Sequence, residues 1–119
     1  MQTVIQLRET CQRLLGSAET FPFGLDTLVL KVGGKVYALI GLNSEPPSLS
    51  LKCDPLRAEA LRAAHEEIVP GYHLNKAHWN TLSLGAGLPD ALVSELLTHS
   101  YALVVASLTK AQRAELLSS

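Results

Sequence analysis

Residues 28–40 read LVLKVGGKVYALI, with apolar runs on both sides of a Gly-Gly pair. The two runs, Leu28–Val32 and Lys35–Ile40, have the composition of β-strands. Gly33 and Gly34 between them supply the positive φ angles that a tight hairpin turn needs. The stretch therefore predicts an antiparallel β-hairpin.

Two further strands are predicted from the alternation of apolar and polar residues. In residues 48–53 the odd positions are apolar and the even positions are polar. In residues 79–84, Leu82 and Leu84 share one face, and Trp79 lies on the other face with Thr81 and Ser83. A strand that alternates in this way is wet on one side. One face of the predicted sheet is therefore exposed, and Trp79 lies on it.

The first two helices are indicated by their start signals. Thr3 and Gln6 have the spacing of a capping box, and an apolar stripe follows as far as Gly16. Asp54 and Pro55 are typical of an N-cap followed by the first helical position. The second helix is expected to end at Pro70-Gly71. Its predicted buried stripe consists of Leu56, Ala60, Leu61, Ala64 and Ile68.

The C-terminal third of the chain predicts more helix. A helix opens at Pro89 and is expected to break near His99-Ser100. Thr109 and Gln112 form a second capping box, which starts a short terminal helix. The predicted order is α-β-β-β-α-β-α-α. Since turns rather than crossover helices join most of the strands, an α+β fold with a mostly antiparallel sheet packed against helices is expected.

Length and charge restrict the possible functions. The chain has 119 residues, of which 47% are apolar, which suits one domain spanning residues 1–119. Ten basic against eleven acidic residues give a net charge of −1, so bulk charge does not indicate nucleic-acid binding and a local patch would have to supply it. Cys11 and Cys53 are expected to be small core residues.

The termini and the apolar runs indicate a cytoplasmic protein. Arg8, Glu9 and Arg13 interrupt the N-terminal segment, which therefore lacks the pattern of a signal peptide. The longest apolar stretch, Leu25–Leu42, contains charged residues and glycines, so no membrane span is expected. The sequence does not fix the oligomeric state, and a monomer is favoured.

Three motifs carry a family resemblance: Lys52–Pro55, the run PGYHLNKAHW at residues 70–79, and Ser100–Val104. In order and spacing they resemble the MmcQ/YjbR family, and the resemblance covers almost the whole chain. It implies a curved antiparallel sheet on helices, similar in outline to secretion chaperones and frataxin-like domains, with a double-wing mode of DNA binding. The chain departs from the family at Ala77, where members often carry a second basic residue.

The most unusual stretch, Val69–Pro89, contains no Asp or Glu. Lysine can meet a phosphate, Asn and His can hydrogen-bond phosphate or base edges, and Tyr or Trp can stack on a base. A structural role is the alternative, with the aromatic residues anchoring the loop and the polar ones satisfying its backbone. The candidate nucleic-acid-binding residues here are Tyr72, His73, Asn75, Lys76, His78 and Trp79.

Three more candidate nucleic-acid-binding residues, Lys31, Lys35 and Lys52, lie on or beside the hairpin and the following strand. They would form a mildly basic wing. The alternative for Lys31 and Lys35 is a solvated edge, where lysines discourage association between sheets.

No catalytic, metal or cofactor site is predicted. The spacing of His73 and His78, taken with Cys53, matches no common metal motif. A Cys53 nucleophile lacks an evident base, and no pair of carboxylates suggests acid/base chemistry. Gly85-Ala86-Gly87 lacks the third glycine and the parallel context of a dinucleotide site. We therefore expect a binding domain rather than an enzyme, with DNA as the leading partner; the alternative is a protein-interaction module resembling secretion chaperones.

Overall fold

The computed structural model describes residues 2–43, 45–71 and 74–118. These residues form four helices and six strands. The helices are α1 (Val4–Gln12), α2 (Pro55–Ala64), α3 (Asp90–Ser107) and α4 (Lys110–Ser118). The strands are β1 (Ala18–Thr20), β2 (Thr27–Val32), β3 (Lys35–Gly41), β4 (Ser48–Lys52), β5 (Ile68–Pro70) and β6 (Trp79–Ser83).

All six strands belong to one antiparallel sheet in the order β1-β2-β3-β4-β6-β5. The predicted α+β class is confirmed, and the eight predicted elements occur in the predicted order. Two strands, β1 and β5, were not predicted, and they form the two edges of the sheet. Each has three residues, which is too short to show a clear alternation.

The central hairpin forms as predicted. Val32 pairs with Lys35, and φ is +59° at Gly33 and +79° at Gly34. A side chain at Gly33 would also meet Leu108, the residue that follows α3, because an added Cβ would lie 2.7 Å from Cδ1 of Leu108. The positive φ therefore favours glycine there, and any larger residue would also have to displace the Leu108 side chain.

The main core lies between one face of the sheet and the helices. Strands β2, β3, β4 and β6 contribute every second side chain to it, and α1 and α3 supply the opposing layer. Its buried members include Leu28, Leu30, Ile40, Leu49, Leu82, Leu7, Cys11, Val93, Leu97 and Val104.

A buried hydroxyl joins α3 to the middle of the sheet. Ser100 Oγ donates to the Tyr37 carbonyl at 2.6 Å and accepts from the Lys52 backbone N–H at 2.9 Å. The regular pairing of β3 with β4 stops at Ala38 and Leu51, where Tyr37 is the extra residue of a β-bulge. Ser100 thus satisfies two backbone groups that the bulge removes from the ladder.

Helix α3 continues through Ser100 without a break. The break expected near His99-Ser100 is wrong, since α3 runs from Asp90 to Ser107. The Ser100 hydroxyl bonds the sheet rather than the backbone of its own helix, so it does not compete with the helical hydrogen bonds. At 18 residues, α3 is the longest of the described helices, yet none of them is both long enough and apolar enough to cross a membrane.

Helix α2 begins as predicted but packs differently. The Asp54 carboxylate accepts from the Arg57 N–H at 3.2 Å, and Pro55 is the first helical residue. The helix ends at Ala64 rather than at Pro70, and Leu56, predicted to be buried, is 80% exposed. The buried face centres on Ala58, whose carbonyl accepts from the Asn80 side-chain amide of β6.

Residues 21–26 connect β1 to β2. Two phenylalanines around a proline and before a glycine predict an ordered loop lying on the core here, but the structure leaves these residues exposed. Phe23 is 73% exposed and Leu25 is 80% exposed. The pairing of β1 with β2 ends at Thr20 and Val29, so residues 21–26 extend beyond the end of β1 before the chain enters β2. Two large apolar side chains are consequently left in solvent beside the sheet.

Candidate functional site

The sheet face opposite the main core carries most of the candidate residues, and we call it the open face. On β4 and β6 it is formed by the positions that alternate with the buried ones, and on β2 the same side also carries Val29, which is fully buried. The residues on this face include Thr27, Lys31, Leu39, Gly41, Ser48, Ser50, Lys52, Trp79, Thr81 and Ser83.

Lys52 and Trp79 lie directly opposite each other on the open face. Both are half-buried. Lys31 lies at the same end of the sheet, two strands away, because its partner Val36 is beyond the last regular pair of β3 with β4. Two strand spacings place the backbones of Lys31 and Lys52 about 10 Å apart. Trp79 is thus partly exposed on the face opposite Leu82 and Leu84, as predicted.

Lys35 lies apart from these residues. Its partner Val32 is a core residue, so Lys35 is on the helix side of the sheet. Its Nζ donates to the Ser107 carbonyl at 3.2 Å and lies 3.4 Å from Ser107 Oγ. A lysine at this position complements the negative end of the α3 dipole. The ammonium group of the candidate residue Lys35 therefore contacts the C-terminal end of α3.

The turn before Trp79 is held by Asn75. Its side-chain oxygen accepts from the Ala77 N–H at 3.0 Å. Its carbonyl accepts from the N–H groups of His78 at 3.2 Å and Trp79 at 2.9 Å. Asn75 thus satisfies a backbone N–H of the turn.

Lys76 and His78 are exposed on that turn. Their backbones are anchored, since the Lys76 carbonyl accepts from Arg62 and the His78 carbonyl accepts from the Cys53 N–H. Both side chains are thus presented from a fixed backbone. The remaining candidates, Tyr72 and His73, lie outside the described residues.

Gly71 fixes the position of Trp79 from the other side. Its N–H donates to the Trp79 carbonyl at 2.8 Å. A Cβ at Gly71 would lie 2.7 Å from Cβ of Trp79. The close approach of the two backbones therefore depends on glycine at position 71.

A groove of about 520 Å³ adjoins the row of Lys31, Lys52 and Trp79 on the open face. Phe23 and Leu74 enter it from the loops flanking the sheet. The Ser50 and Thr81 hydroxyls lie 2.8 Å apart on neighbouring strands. The lining is completed by Thr27, Leu39, Gly41 and Ser48. The alternation in the sequence placed the polar residues of β4 and β6 on a wet face. It did not predict the groove, because the residues that line the groove come from distant segments.

Two ion pairs among the described residues each involve a helix. Arg8 of α1 binds Glu19 at 2.7 Å, and Arg57 of α2 binds Glu95 of α3 at 2.6 Å. The hydrogen bond from Arg8 lowers the pKa of Glu19. Within the described ranges, neither Lys31 nor Lys52 has a carboxylate partner. Their charges are therefore available to an anionic ligand.

The family of the chain follows from its sequence. The YjbR family model matches residues 12–103, which include the whole row and the groove. The chain belongs to the YjbR family. The resemblance seen in its motifs is thereby confirmed.

Individual YjbR relatives extend this match over most of the chain. YbdF of Escherichia coli O157:H7 is 37% identical over 108 residues, covering 87% of this chain and 88% of YbdF. YjbR of Escherichia coli strain K12 is 32% identical over 111 residues, covering 93% of this chain and 94% of that protein. Both are named as uncharacterised proteins, so they identify the family and assign no activity.

Two solved structures share the YjbR fold. The crystal structure of protein DR2400 from Deinococcus radiodurans, a DUF419 domain, has a TM-score of 0.91 and 52% identity, covering 98% of this chain and 88% of that one. A protein from Pseudomonas syringae has a TM-score of 0.74 and 26% identity, covering 85% and 97% respectively.

The two cysteines of this YjbR domain are not activated. Cys53 is 4% exposed, and burial raises the pKa of its thiol. Burial also raises the pKa of Cys11. A thiol with a raised pKa forms little of the reactive thiolate at neutral pH. Over residues 2–43, 45–71 and 74–118, no group of three or more His, Cys, Asp and Glu side chains could hold a metal ion.

Proposed function

We propose that this domain binds nucleic acid across the open face of its sheet and performs no chemistry on it. The observation that carries the proposal is the row of Lys31, Lys52 and Trp79 at one end of that face. Lys52 lies beside the partly exposed indole ring of Trp79, and Lys31 lies two strands from Lys52; no carboxylate among the described residues pairs with either ammonium group. Phosphates attract the lysines, and a base stacks on the indole.

Binding by this row is expected to be modest and strongly dependent on salt. The net charge of −1 provides no long-range attraction for a polyanion. Lys31 and Lys52, with the exposed Lys76 beside them, would meet about three phosphates. Each phosphate contact releases counterions, so the logarithm of the association constant falls by about 0.7 to 0.9 per contact for each decade of salt.

The double-wing mode implied by the family resemblance would place the β2–β3 hairpin on duplex DNA. Lys31 and Lys35 flank that hairpin, but the Lys35 ammonium lies against the end of α3. We therefore assign the contact to the open face, where Lys31 and Lys52 lie on either side of β3. The proposed ligand is still nucleic acid, and the hairpin tip contributes little to binding it.

One observation favours a second function, the binding of a protein partner. The β1–β2 loop exposes Phe23 and Leu25, together with 43% of Phe21. Neighbouring exposed apolar side chains often mark protein-interaction sites. Such an interaction would survive high salt, because apolar contacts are barely screened.

Fluorescence anisotropy of labelled single-stranded and duplex oligonucleotides tests the proposal. We expect binding at low ionic strength that disappears as salt is added. Lys52→Ala weakens it, whereas Lys35→Ala removes a lysine on the helix side and leaves it unchanged. The absence of binding even at low ionic strength would overturn the nucleic-acid proposal and favour the protein partner.

A further inference from the structure

We infer that the groove on the open face receives one unstacked base of a single-stranded nucleic acid. This inference rests on the proposed function and specifies the class of ligand. The groove is continuous with the row of Lys31, Lys52 and Trp79, since Ser50 and Thr81 are the next residues along β4 and β6 on the same face. A single strand would follow the row and place one base in the groove.

The dimensions of the groove favour a single strand over a duplex. It extends from Thr27 on β2 to Thr81 on β6, across three strand spacings, or about 14 Å. Phe23 and Leu74 enter it from the flanking loops. Bases in a duplex are paired and stacked, so they reach a pocket of this kind only when they are splayed out.

The chemistry of the lining matches a nucleobase. Phe23 and Leu39 offer an aromatic and an aliphatic surface to a flat ring. The Ser50 and Thr81 hydroxyls share one hydrogen bond, which leaves a donor and several acceptor lone pairs for the edge of a base. Hydroxyls can rotate to suit either kind of partner, so the site is expected to accept different bases.

Charge distinguishes a nucleotide from an apolar peptide as the occupant. Lys52 follows Ser50 by two residues on β4, which corresponds to about 7 Å along the strand. No carboxylate among the described residues pairs with its ammonium. A phosphate attached to the bound nucleotide provides that partner, whereas an uncharged apolar peptide would leave the ammonium without a counter-charge.

Phe23→Ala tests the groove with little risk to the fold, because the side chain is mostly exposed. Phe21→Ala is the matched control, since it removes the same ring from the same loop at a position that does not line the groove. Four probes are titrated at low salt: a single-stranded oligonucleotide, its abasic equivalent, a duplex, and an uncharged apolar peptide.

We expect the single-stranded oligonucleotide to bind more tightly than the duplex or the abasic chain. Phe23→Ala should weaken its binding about 5- to 150-fold, the loss typical of one base–aromatic stack, while Phe21→Ala leaves it unchanged.

Equal affinity for the three nucleic-acid probes, with no effect of Phe23→Ala, would overturn the groove assignment and leave the proposed function intact. Binding of none of them would overturn both. Peptide binding that resists salt and is lost in Phe23→Ala, without any preference for single strands, would assign the groove to a protein.

Discussion

Lys52 and Trp79 face each other across β4 and β6, on the side of the sheet opposite the main core. The backbone of each is fixed independently. The Lys52 N–H donates to Ser100 Oγ at 2.9 Å, and the Trp79 carbonyl accepts from the Gly71 N–H at 2.8 Å. The two backbones are thus fixed on neighbouring strands before any ligand arrives, so no main-chain ordering is needed on binding.

Replacing Lys52 should change the salt dependence of binding. Lys52→Ala removes one phosphate contact, so the slope of log K against log salt should decrease by about 0.7 to 0.9. Lys76→Ala, on the adjoining turn, should decrease the slope in the same way. Titrations over a series of salt concentrations measure it.

Lys35→Ala is the matched control for these variants. Its ammonium contacts Ser107, so the slope should match that of the parent protein. A larger loss of slope in Lys35→Ala than in Lys52→Ala would place the contact at the hairpin rather than on the open face.

Removing the Ser100 hydroxyl should destabilise the fold. Ser100→Ala leaves the Tyr37 carbonyl and the Lys52 N–H without their buried partner. A buried unsatisfied group typically costs about 1 to 3 kcal/mol. Urea denaturation measures the difference. Thr98→Ala, which removes an exposed hydroxyl bonded within α3, is the control. Equal stability of the two variants would show that the hydroxyl does not support the bulge.

The N-cap of α2 should also contribute to stability. Asp54→Ala removes the acceptor of the Arg57 N–H and should cost about 1 kcal/mol. Asp54→Ser keeps a capping oxygen and should recover most of the loss. Thermal denaturation of the three proteins provides the comparison; an unchanged midpoint in Asp54→Ala would argue against the cap.

The thiols should react slowly in the native protein. Burial raises the pKa of both Cys11 and Cys53, so little thiolate forms at neutral pH. A colorimetric disulfide reagent should label neither residue until denaturant is added. Rapid labelling of the native protein would show that one thiol is accessible.

Much of the fold was predictable because its signals are local. The Gly33-Gly34 turn and the Asp54-Pro55 helix start each lie within a few residues of the structure they determine. The position of Lys35 was not predictable, since its partner Ser107 lies 72 residues away. The break expected at Ser100 was wrong for a similar reason, because its hydroxyl bonds two distant strands.

The candidate site was predicted in part. Alternation in residues 79–84 placed Trp79 on the wet face, and the pairing of β4 with β6 then brought it opposite Lys52. The groove depends on how loops that are remote in sequence flank the sheet. The expectation that Phe23 lies on the core was wrong. An aromatic residue beside a proline gives no indication of which side of the sheet it will join.

The most direct test of nucleic-acid binding by the open face is an amide NMR titration with a single-stranded oligonucleotide at low ionic strength. Trp79 is the only tryptophan of the chain, so its indole N–H gives one assignable signal. We predict shifts of that signal and of the amides of Ser50, Lys52 and Thr81, with α3 unaffected. Shifts confined to the hairpin tip or to the helices, or no shifts at all, would contradict the account.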